Sequence, residues 1–141
     1  MTTVPFDLWD RVPPALATVL PNVSWSRERL HSLALPVVTL RIDDLRWQLD
    51  LPWWRSANGP FTLAPNEVRR SPAAHAAQWK RTLDADLGYP IHLLQRDRLV
   101  VLDGVHRLLK ADVNDLPSIA AHVVSEETFT AHVVCHFVPV V

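Results

Sequence analysis

Hydrophobic and polar positions alternate in several short runs of the chain, and these runs predict a small β-sheet. In the segment VVTLRIDDL, Val38, Leu40 and Ile42 alternate with polar residues, which predicts a strand over 37–42. The apolar runs YPIHLL and LVVL, separated by the polar segment QRDR, predict a hairpin of two further strands. Another strand is expected within LPSIAAHVV.

Helical periodicity is clearest in the segment SPAAHAAQWKRTLDADLG. Ser71 can cap this helix, Pro72 suits its first position, and Gly88 follows its end. Side chains spaced by four residues share one face, which we expect to pack on the core: His75, Trp79, Leu83 and Leu87. A second helix is predicted from Val105 to about Val113.

Proline-rich segments punctuate the rest of the chain. Residues 1–36 are predicted to form an arm with two short helices, the second capped by Ser24 or Ser26. Residues 46–66 are predicted to be a long irregular connection, with an extended piece at 61–63. The tail TFTAHVVCHFVPVV is either a last strand or an apolar extension packed on the body.

These elements predict an α+β fold in which helices pack on a small mixed sheet. The helical arm over 1–36 is followed by the sheet domain over 37–141, within one compact unit. With 141 residues, the chain is long enough for one domain with a core.

Composition and charge narrow the function classes. The chain is 48% hydrophobic and has a formal net charge of −1, which argues against a protein held on nucleic acid by phosphate contacts. Cys135 is the single cysteine, so an intrachain disulfide is excluded and a cytoplasmic location is expected. We expect no signal peptide and no membrane-spanning segment.

The segment LDGVHRLLKA places chemistry where a predicted strand becomes a helix. A helix N-terminus offers free N–H groups, and a glycine there allows an anion to approach the backbone. Asp103 can cap the helix or contact a metal or hydroxyl, while His106 and Arg107 can face whatever the N–H groups hold. The turn therefore indicates a phosphate or carboxylate site. The alternative is a well-capped strand-to-helix turn without a ligand.

Several short motifs occur together in a recognisable order. Pro90-Ile91 opens a strand, Asp103-Gly104 and His106-Arg107 form the turn, and Leu116-Pro117 precede the last strand. In this order, and in the strand and acidic turn of VVTLRIDDL, the region 37–124 resembles the ParB/sulfiredoxin-like superfamily. The resemblance implies the α+β fold of that superfamily.

Two branches of the superfamily fit this chain poorly. Partition ParB proteins bind CTP in the equivalent region and DNA through a helix-turn-helix domain downstream, but too few residues follow Val124 for such a domain. Sulfiredoxins have a catalytic cysteine before the His-Arg pair, where this chain has Val105. Neither centromere-type DNA binding nor sulfiredoxin chemistry is therefore expected.

The free serine kinases of the superfamily are closer, since their signature Asp-Gly-His-His-Arg differs from DGVHR only at Val105. The resemblance implies that a nucleotide (ADP, ATP or CTP) with Mg²⁺ binds at Asp103, Gly104, Val105, His106 and Arg107. It also implies a carboxylate that activates the acceptor hydroxyl. Asp43 and Asp44 follow the opening strand and are the candidates, with His106 as a third catalytic residue.

Other residues could contact a substrate or a metal ion. Adjacent Trp53 and Trp54, followed by Arg55, are candidates for contacting the substrate, although both tryptophans can instead pack beneath the loop. His132, Cys135 and His136 lie close together, but they lack the separated pairs typical of zinc sites. No residue is assigned to a metal site. His92 could meet the turn, although most such histidines are surface or packing residues. Glu67, Arg69 and Arg70 lie where ParB relatives carry functional arginines, but a solvated loop is the preferred interpretation.

The sequence thus predicts a small-molecule enzyme that transfers a phosphoryl group to a small hydroxylated or amino-acid-like substrate. The alternative is a non-catalytic, nucleotide-sensing or regulatory module that docks a partner or forms a homodimer through the tryptophan loop and the arm. Nuclease activity is a third interpretation, and the near-neutral charge and the lack of a dense acidic cluster argue against it.

Overall fold

A computed structural model of the chain describes residues 2–138. The strands, in chain order, are β1 (Thr2–Thr3), β2 (Val38–Arg41), β3 (Trp54–Ser56), β4 (Gly59–Leu63), β5 (Ile91–Gln95), β6 (Leu99–Asp103), β7 (Ser118–Ser125) and β8 (His136–Phe137). The α-helices are α1 (Pro14–Ala17), α2 (Arg27–His31), α3 (Pro65–Arg70), α4 (Ala76–Asp84), α5 (Val105–Val113) and α6 (Glu126–His132). Short 3₁₀ helices span Trp9–Arg11, Ile42–Asp44, Arg46–Asp50 and Pro72–His75.

The central sheet has the strand order β2-β7-β5-β6. The β5–β7 pair is parallel, while β2–β7 and β5–β6 are antiparallel, so the predicted mixed sheet and α+β class are confirmed. The register places His92 of β5 opposite His122 of β7 on one side and Asp103 of β6 on the other. Three polar side chains thus lie next to one another at one end of the sheet.

Two cores cover the two faces of this sheet. Because side chains alternate along a strand, Leu93 of β5 packs in a core with Leu108 of α5, while its neighbour Leu94 packs in a second core. Leu30 of α2 and Phe129 of α6 belong to that second core. The arm therefore covers one face of the sheet and α5 covers the other.

The arm over residues 1–36 contains both predicted helices and is attached to the body at two points. β1 pairs with β8, and Trp25 forms an isolated antiparallel bridge with Val134. Ser26 caps α2 by accepting a hydrogen bond from the Arg29 N–H, as one of the two predicted caps. Backbone pairing between distant segments holds α2 at a fixed position on the sheet.

Two predicted elements differ from those of the structure. The tail, predicted to be a last strand or an apolar extension, instead begins within α6 (Glu126–His132), because Ser125 caps a helix there by accepting from the Thr128 N–H. Only β8 of the tail is extended, and 139–141 lie outside the described residues. The predicted helix over 71–88 begins as a 3₁₀ turn and is α-helical only in α4, so its faces are shifted and Leu83 is 53% exposed.

The connection over 46–66 is more ordered than predicted. It contains a 3₁₀ helix and the β3–β4 hairpin, which β4 extends beyond the expected piece at 61–63. The side chain of Gln48 is fully buried, donates to the Leu99 carbonyl at 3.0 Å and accepts from the Val101 N–H at 2.8 Å. One buried amide thus fixes the connection to β6.

Within residues 2–138, the helices are all too short or too polar to cross a membrane.

Candidate functional site

A cleft of about 680 Å³ opens where β5 begins and β6 ends. Residues from the arm, from α4 and the loop after it, from the sheet and from α5 line this cleft: His31, Leu33, Arg81, Ala85, Asp86, Tyr89, Pro90, His92, Asp103, Gly104, His106, Arg107 and His122. Two arginines, two aspartates and four histidines among them make the lining rich in charged and hydrogen-bonding groups. Most of the predicted turn, Asp103 to Arg107, belongs to this lining.

Gly104 shapes the turn between β6 and α5. Its φ of +117° is a backbone conformation that side chains of L-residues rarely adopt. A Cβ there would lie 2.5 Å from Cγ2 of Ile91, so the position also lacks space for a side chain. Both the positive φ and the lack of space require glycine at this position. The start of α5 therefore lies close against Ile91 of β5.

Gly104 is also the N-cap of α5, and no side chain among the described residues accepts a hydrogen bond from the first turn as a cap. The expectation that Asp103 caps this helix is therefore wrong. The first N–H groups of α5 have no partner within the helix, and the positive end of the helix dipole lies at the cleft. The Val105 side chain packs against the core instead of lining the cleft.

Arg107 connects the turn to the loop before β5. Its NH1 donates to the carbonyls of Tyr89 at 3.0 Å and Pro90 at 2.7 Å. Its NH2 lies 3.5 Å from Oδ2 of Asp103. The guanidinium is thus held in one orientation and brings a positive charge to the cleft wall.

His106 is oriented by residues behind the cleft. Its Nε2 donates to Oε1 of Gln78 at 2.7 Å, and its ring stacks on Trp54 with the centroids 4.3 Å apart. Burial, and then the positive charge of Arg81, lowers the pKa of His106 from 6.5 to about 4. At neutral pH the ring is uncharged and packed on an aromatic neighbour.

Asp103 meets a histidine from the arm. Nε2 of His31 donates to Oδ2 of Asp103 at 2.7 Å, and the His31 ring stacks on His92 with the centroids 4.7 Å apart. His31 was missed in the sequence, because it lies in a short helix far from the turn along the chain. The pairing of β1 with β8 and the burial of Leu30 bring it here.

His92 lies at the centre of the histidine-rich wall. It is 8% exposed, its ring lies 4.9 Å from that of His122, and its Nδ1 is buried without a hydrogen-bond partner among residues 2–138. Burial, followed by the nearby His31 and His122, lowers the pKa of His92 from 6.5 to about 4. The structure thus places His92 in the cleft that contains the turn, which was the alternative to a surface or packing role.

Asp43 and Asp44 do not line the cleft. They belong to the 3₁₀ helix after β2, at the end of that strand that pairs with Ser118. Hydrogen bonds from Arg46 and Arg41 lower the pKa of Asp43 below its usual value. The structure therefore does not bring the predicted proton acceptor and the Gly104 turn together.

Trp53, Trp54 and Arg55 also lie outside the cleft lining. Trp53 is half-buried against the main core and donates from Nε1 to the Gln48 carbonyl at 2.7 Å, while Trp54 is 8% exposed. Arg55 lines a separate pocket of about 510 Å³ next to the start of α4. The tryptophans thus pack under the connection, which was the alternative to contact with substrate.

Arg69 forms an ion pair with Asp112 of α5. Oδ2 of Asp112 accepts from Arg69 NH1 at 2.6 Å, and its Oδ1 accepts from Arg46 Nε at 2.9 Å. Burial raises the pKa of Asp112, but the hydrogen bonds from Arg46 and Arg69 outweigh burial and lower it overall. Glu67 accepts a hydrogen bond from the Ala64 N–H at the start of α3.

Comparison with models of protein families, with curated proteins and with solved structures finds no match to this chain.

Proposed function

We propose that the cleft binds a phosphorylated small molecule, specifically a nucleotide, and that the protein transfers a phosphoryl group from it to a small hydroxylated or amino-acid-like substrate. The observation that supports this most strongly is the Gly104 turn. It presents the N-terminus of a nine-residue helix to a cleft large enough for a nucleotide, and no side chain among residues 2–138 caps that N-terminus.

The charges around the turn favour an anion. The Arg107 guanidinium is fixed by two carbonyls at the cleft wall, and the exposed side chain of Arg81 lines the same cleft from α4. Phosphate oxygens would accept hydrogen bonds from the first-turn N–H groups of α5 and face both guanidinium groups. His106 is neutral and held by Gln78, so its role in this proposal is to shape the site.

Phosphoryl transfer also needs a group that takes the proton of the acceptor hydroxyl. Asp43 and Asp44 are remote from the cleft lining, so the proposal assigns this role to one of the carboxylates that do line it, Asp86 or Asp103. The acceptor oxygen bonds to the terminal phosphorus as the bond to the leaving phosphate oxygen breaks. The acceptor proton passes to the carboxylate.

A Mg²⁺ ion usually arrives with the nucleotide and keeps several waters, so it needs only one or two protein carboxylates. Whichever of Asp103 and Asp86 does not take the acceptor proton can satisfy that need, because both line the cleft. When bound, the ion would supply charge neutralisation on the phosphate oxygens.

The order of motifs from Pro90 to Pro117 supports a further part of the proposal: the chain is a member of the ParB/sulfiredoxin-like superfamily, most similar in its turn to the free serine kinases. The single cysteine, Cys135, supports a cytoplasmic location. The alternative, a nucleotide-sensing or regulatory module, would dock a partner or dimerise through the tryptophan loop and the arm, and Trp54, which is 8% exposed, offers little surface for that contact.

Isothermal titration with ADP, ATP and CTP, each with Mg²⁺ and each with EDTA, tests the binding proposal. We expect saturable heat with at least one of them, and a roughly tenfold loss of affinity in Arg81→Ala but not in the matched control Arg55→Ala. Absence of heat with all three nucleotides would overturn it.

Transfer is then tested by ³¹P NMR, with the binding nucleotide and a panel of hydroxylated amino acids. We expect a new phosphomonoester signal with one acceptor, and its loss in Asp103→Asn or Asp86→Asn identifies the carboxylate that takes the proton. Nucleotide binding without transfer to any acceptor would contradict the enzymatic part and favour the nucleotide-sensing alternative.

A further inference from the structure

The side chains of His31, His92 and Asp103 form a cluster that the nucleotide proposal does not use as a unit. One potential ligand atom from each of the three lies within 4.8 Å of the other two. The members come from three separate elements, α2, β5 and β6, which are brought together only by the fold. All three line the cleft.

We propose that His31, His92 and Asp103 bind a divalent transition-metal ion, with Zn²⁺ as the reference ion, and leave coordination positions open toward the cleft. This inference goes beyond the proposed function. The two share Asp103, but the ion is held by the protein without a nucleotide, so each can be tested separately.

The chemistry of the donor set favours this class of ion. Two imidazoles and one carboxylate are ligands that suit Zn²⁺ and Fe²⁺, whereas Mg²⁺ and Ca²⁺ prefer an all-oxygen set. Three protein ligands with open positions are typical of catalytic rather than structural zinc sites. The cluster therefore differs from the contact proposed for a nucleotide-bound Mg²⁺ in its two imidazole ligands, although Asp103 belongs to both.

The His92 environment is an independent observation that points to a ligand. This side chain is more than nine-tenths buried within the cleft wall, and its Nδ1 has no hydrogen-bond partner among the described residues. A buried polar atom without a partner costs about 1–3 kcal/mol.

The three ligand atoms need only a small adjustment to surround one ion. His31 Nε2 and Asp103 Oδ2 are already 2.7 Å apart, and the separations within the cluster are at most 4.8 Å. Ligand atoms around a tetrahedral Zn²⁺ lie roughly 3.3–3.5 Å apart, given metal–ligand distances of about 2.0–2.2 Å. His31 is about half exposed, so its ring can move by the required distance of about 1 Å without disturbing a core.

Neighbouring groups complete the surroundings of the cluster. The contacts of His31 and Arg107 with Asp103 both fall on Oδ2 of the carboxylate. His122, whose ring packs against His92, donates from Nδ1 to the Pro36 carbonyl at 3.0 Å. Arg107 is the nearest positive charge, and it is restrained by the carbonyls of Tyr89 and Pro90.

Titration of the nucleotide-free protein with Zn²⁺ by calorimetry, and with Co²⁺ by visible absorption, tests the proposal. We expect one ion per chain and d–d bands of a low-coordinate Co²⁺. Affinity should fall by at least about 100-fold in His31→Ala and in Asp103→Asn, while the matched control His132→Asn binds like the wild type. His31 is a surface residue, so that variant reports on binding even if Asp103→Asn is poorly folded.

Zinc should also raise the melting temperature of the wild type, because the ion links α2 to the sheet, and it should not raise that of His31→Ala. Absence of saturable binding by the wild type would overturn the proposal. So would binding that is unchanged in His31→Ala. Binding of Zn²⁺ without binding of ADP, ATP or CTP would support the metal site and overturn the proposed function. Binding of a nucleotide without binding of Zn²⁺ would support the proposed function and overturn the metal site.

Discussion

His31 Nε2 donates a 2.7 Å hydrogen bond to Oδ2 of Asp103, so a residue of the arm contacts the last residue of β6. The bond orients the Asp103 carboxylate beside Gly104, at the start of α5. It also brings the His31 ring against His92. The arm is therefore part of the cleft wall, and the chemistry of the cleft depends on how α2 packs on the sheet.

The first prediction concerns the Gly104 turn. Gly104→Ala should lower the free energy of unfolding by roughly 2–4 kcal/mol, because it combines backbone strain with the contact to Ile91. Gly59→Ala is the matched control, since Gly59 has a φ of +114° but open space around the added Cβ. It should cost only roughly 1 kcal/mol. Equal losses in urea unfolding of the two variants would contradict the close packing of the turn.

The second prediction concerns pH and His106. Since the pKa of this ring is about 4 when folded and 6.5 when unfolded, the unfolded chain binds its proton first as the pH falls. The resulting destabilisation is absent above about pH 6.5 and grows as the pH falls toward about 4. His106→Phe keeps an aromatic ring against Trp54 but cannot titrate. Its loss of stability over this interval should be smaller than that of the wild type by on the order of 1–2 kcal/mol.

Urea unfolding of both proteins at several pH values across this interval measures that difference. If the stability of the wild type and of His106→Phe depended on pH in the same way, the pKa of His106 would not be lowered in the folded protein.

The third prediction concerns Asp112, which accepts hydrogen bonds from Arg46 and Arg69 and is 7% exposed. Asp112→Asn should destabilise the fold by about 3 kcal/mol, because the charge facing two guanidinium groups is lost in a buried position. Asp84→Asn removes an exposed partner of Lys80 and should cost less than about 1 kcal/mol. Thermal unfolding of the two variants side by side gives the comparison, and similar melting temperatures would refute the role of Asp112.

Local patterns were sufficient to predict much of the fold. Alternation gave β2 and the β5–β6 hairpin, and the strand-to-helix turn correctly placed α5 over Val105–Val113. The start of the tail was predicted to be a strand or an apolar extension, and not a helix, because its apolar residues mask the capping signal of Ser125. Helix and strand are hard to distinguish in short apolar runs.

Local sequence patterns predicted only part of the candidate site. Residues adjacent along the chain, such as Asp103 and Arg107, were found because one turn contains them. His31 was not found, and His92 was only an alternative, since their proximity follows from strand register and from packing of the arm, which no local pattern encodes. Asp43 was selected for following a strand, but that strand end lies where Ser118 begins β7, away from the cleft.

In the proposed function, the N–H groups at the start of α5 hold the phosphate of a bound nucleotide. Titration of ¹⁵N-labelled protein with ADP and Mg²⁺, followed by two-dimensional NMR, tests it at single residues. We predict saturable shifts that are largest for the amides of Gly104, Val105 and His106. Absence of saturable shifts, or shifts confined to the separate pocket beside Arg55, would contradict the claim.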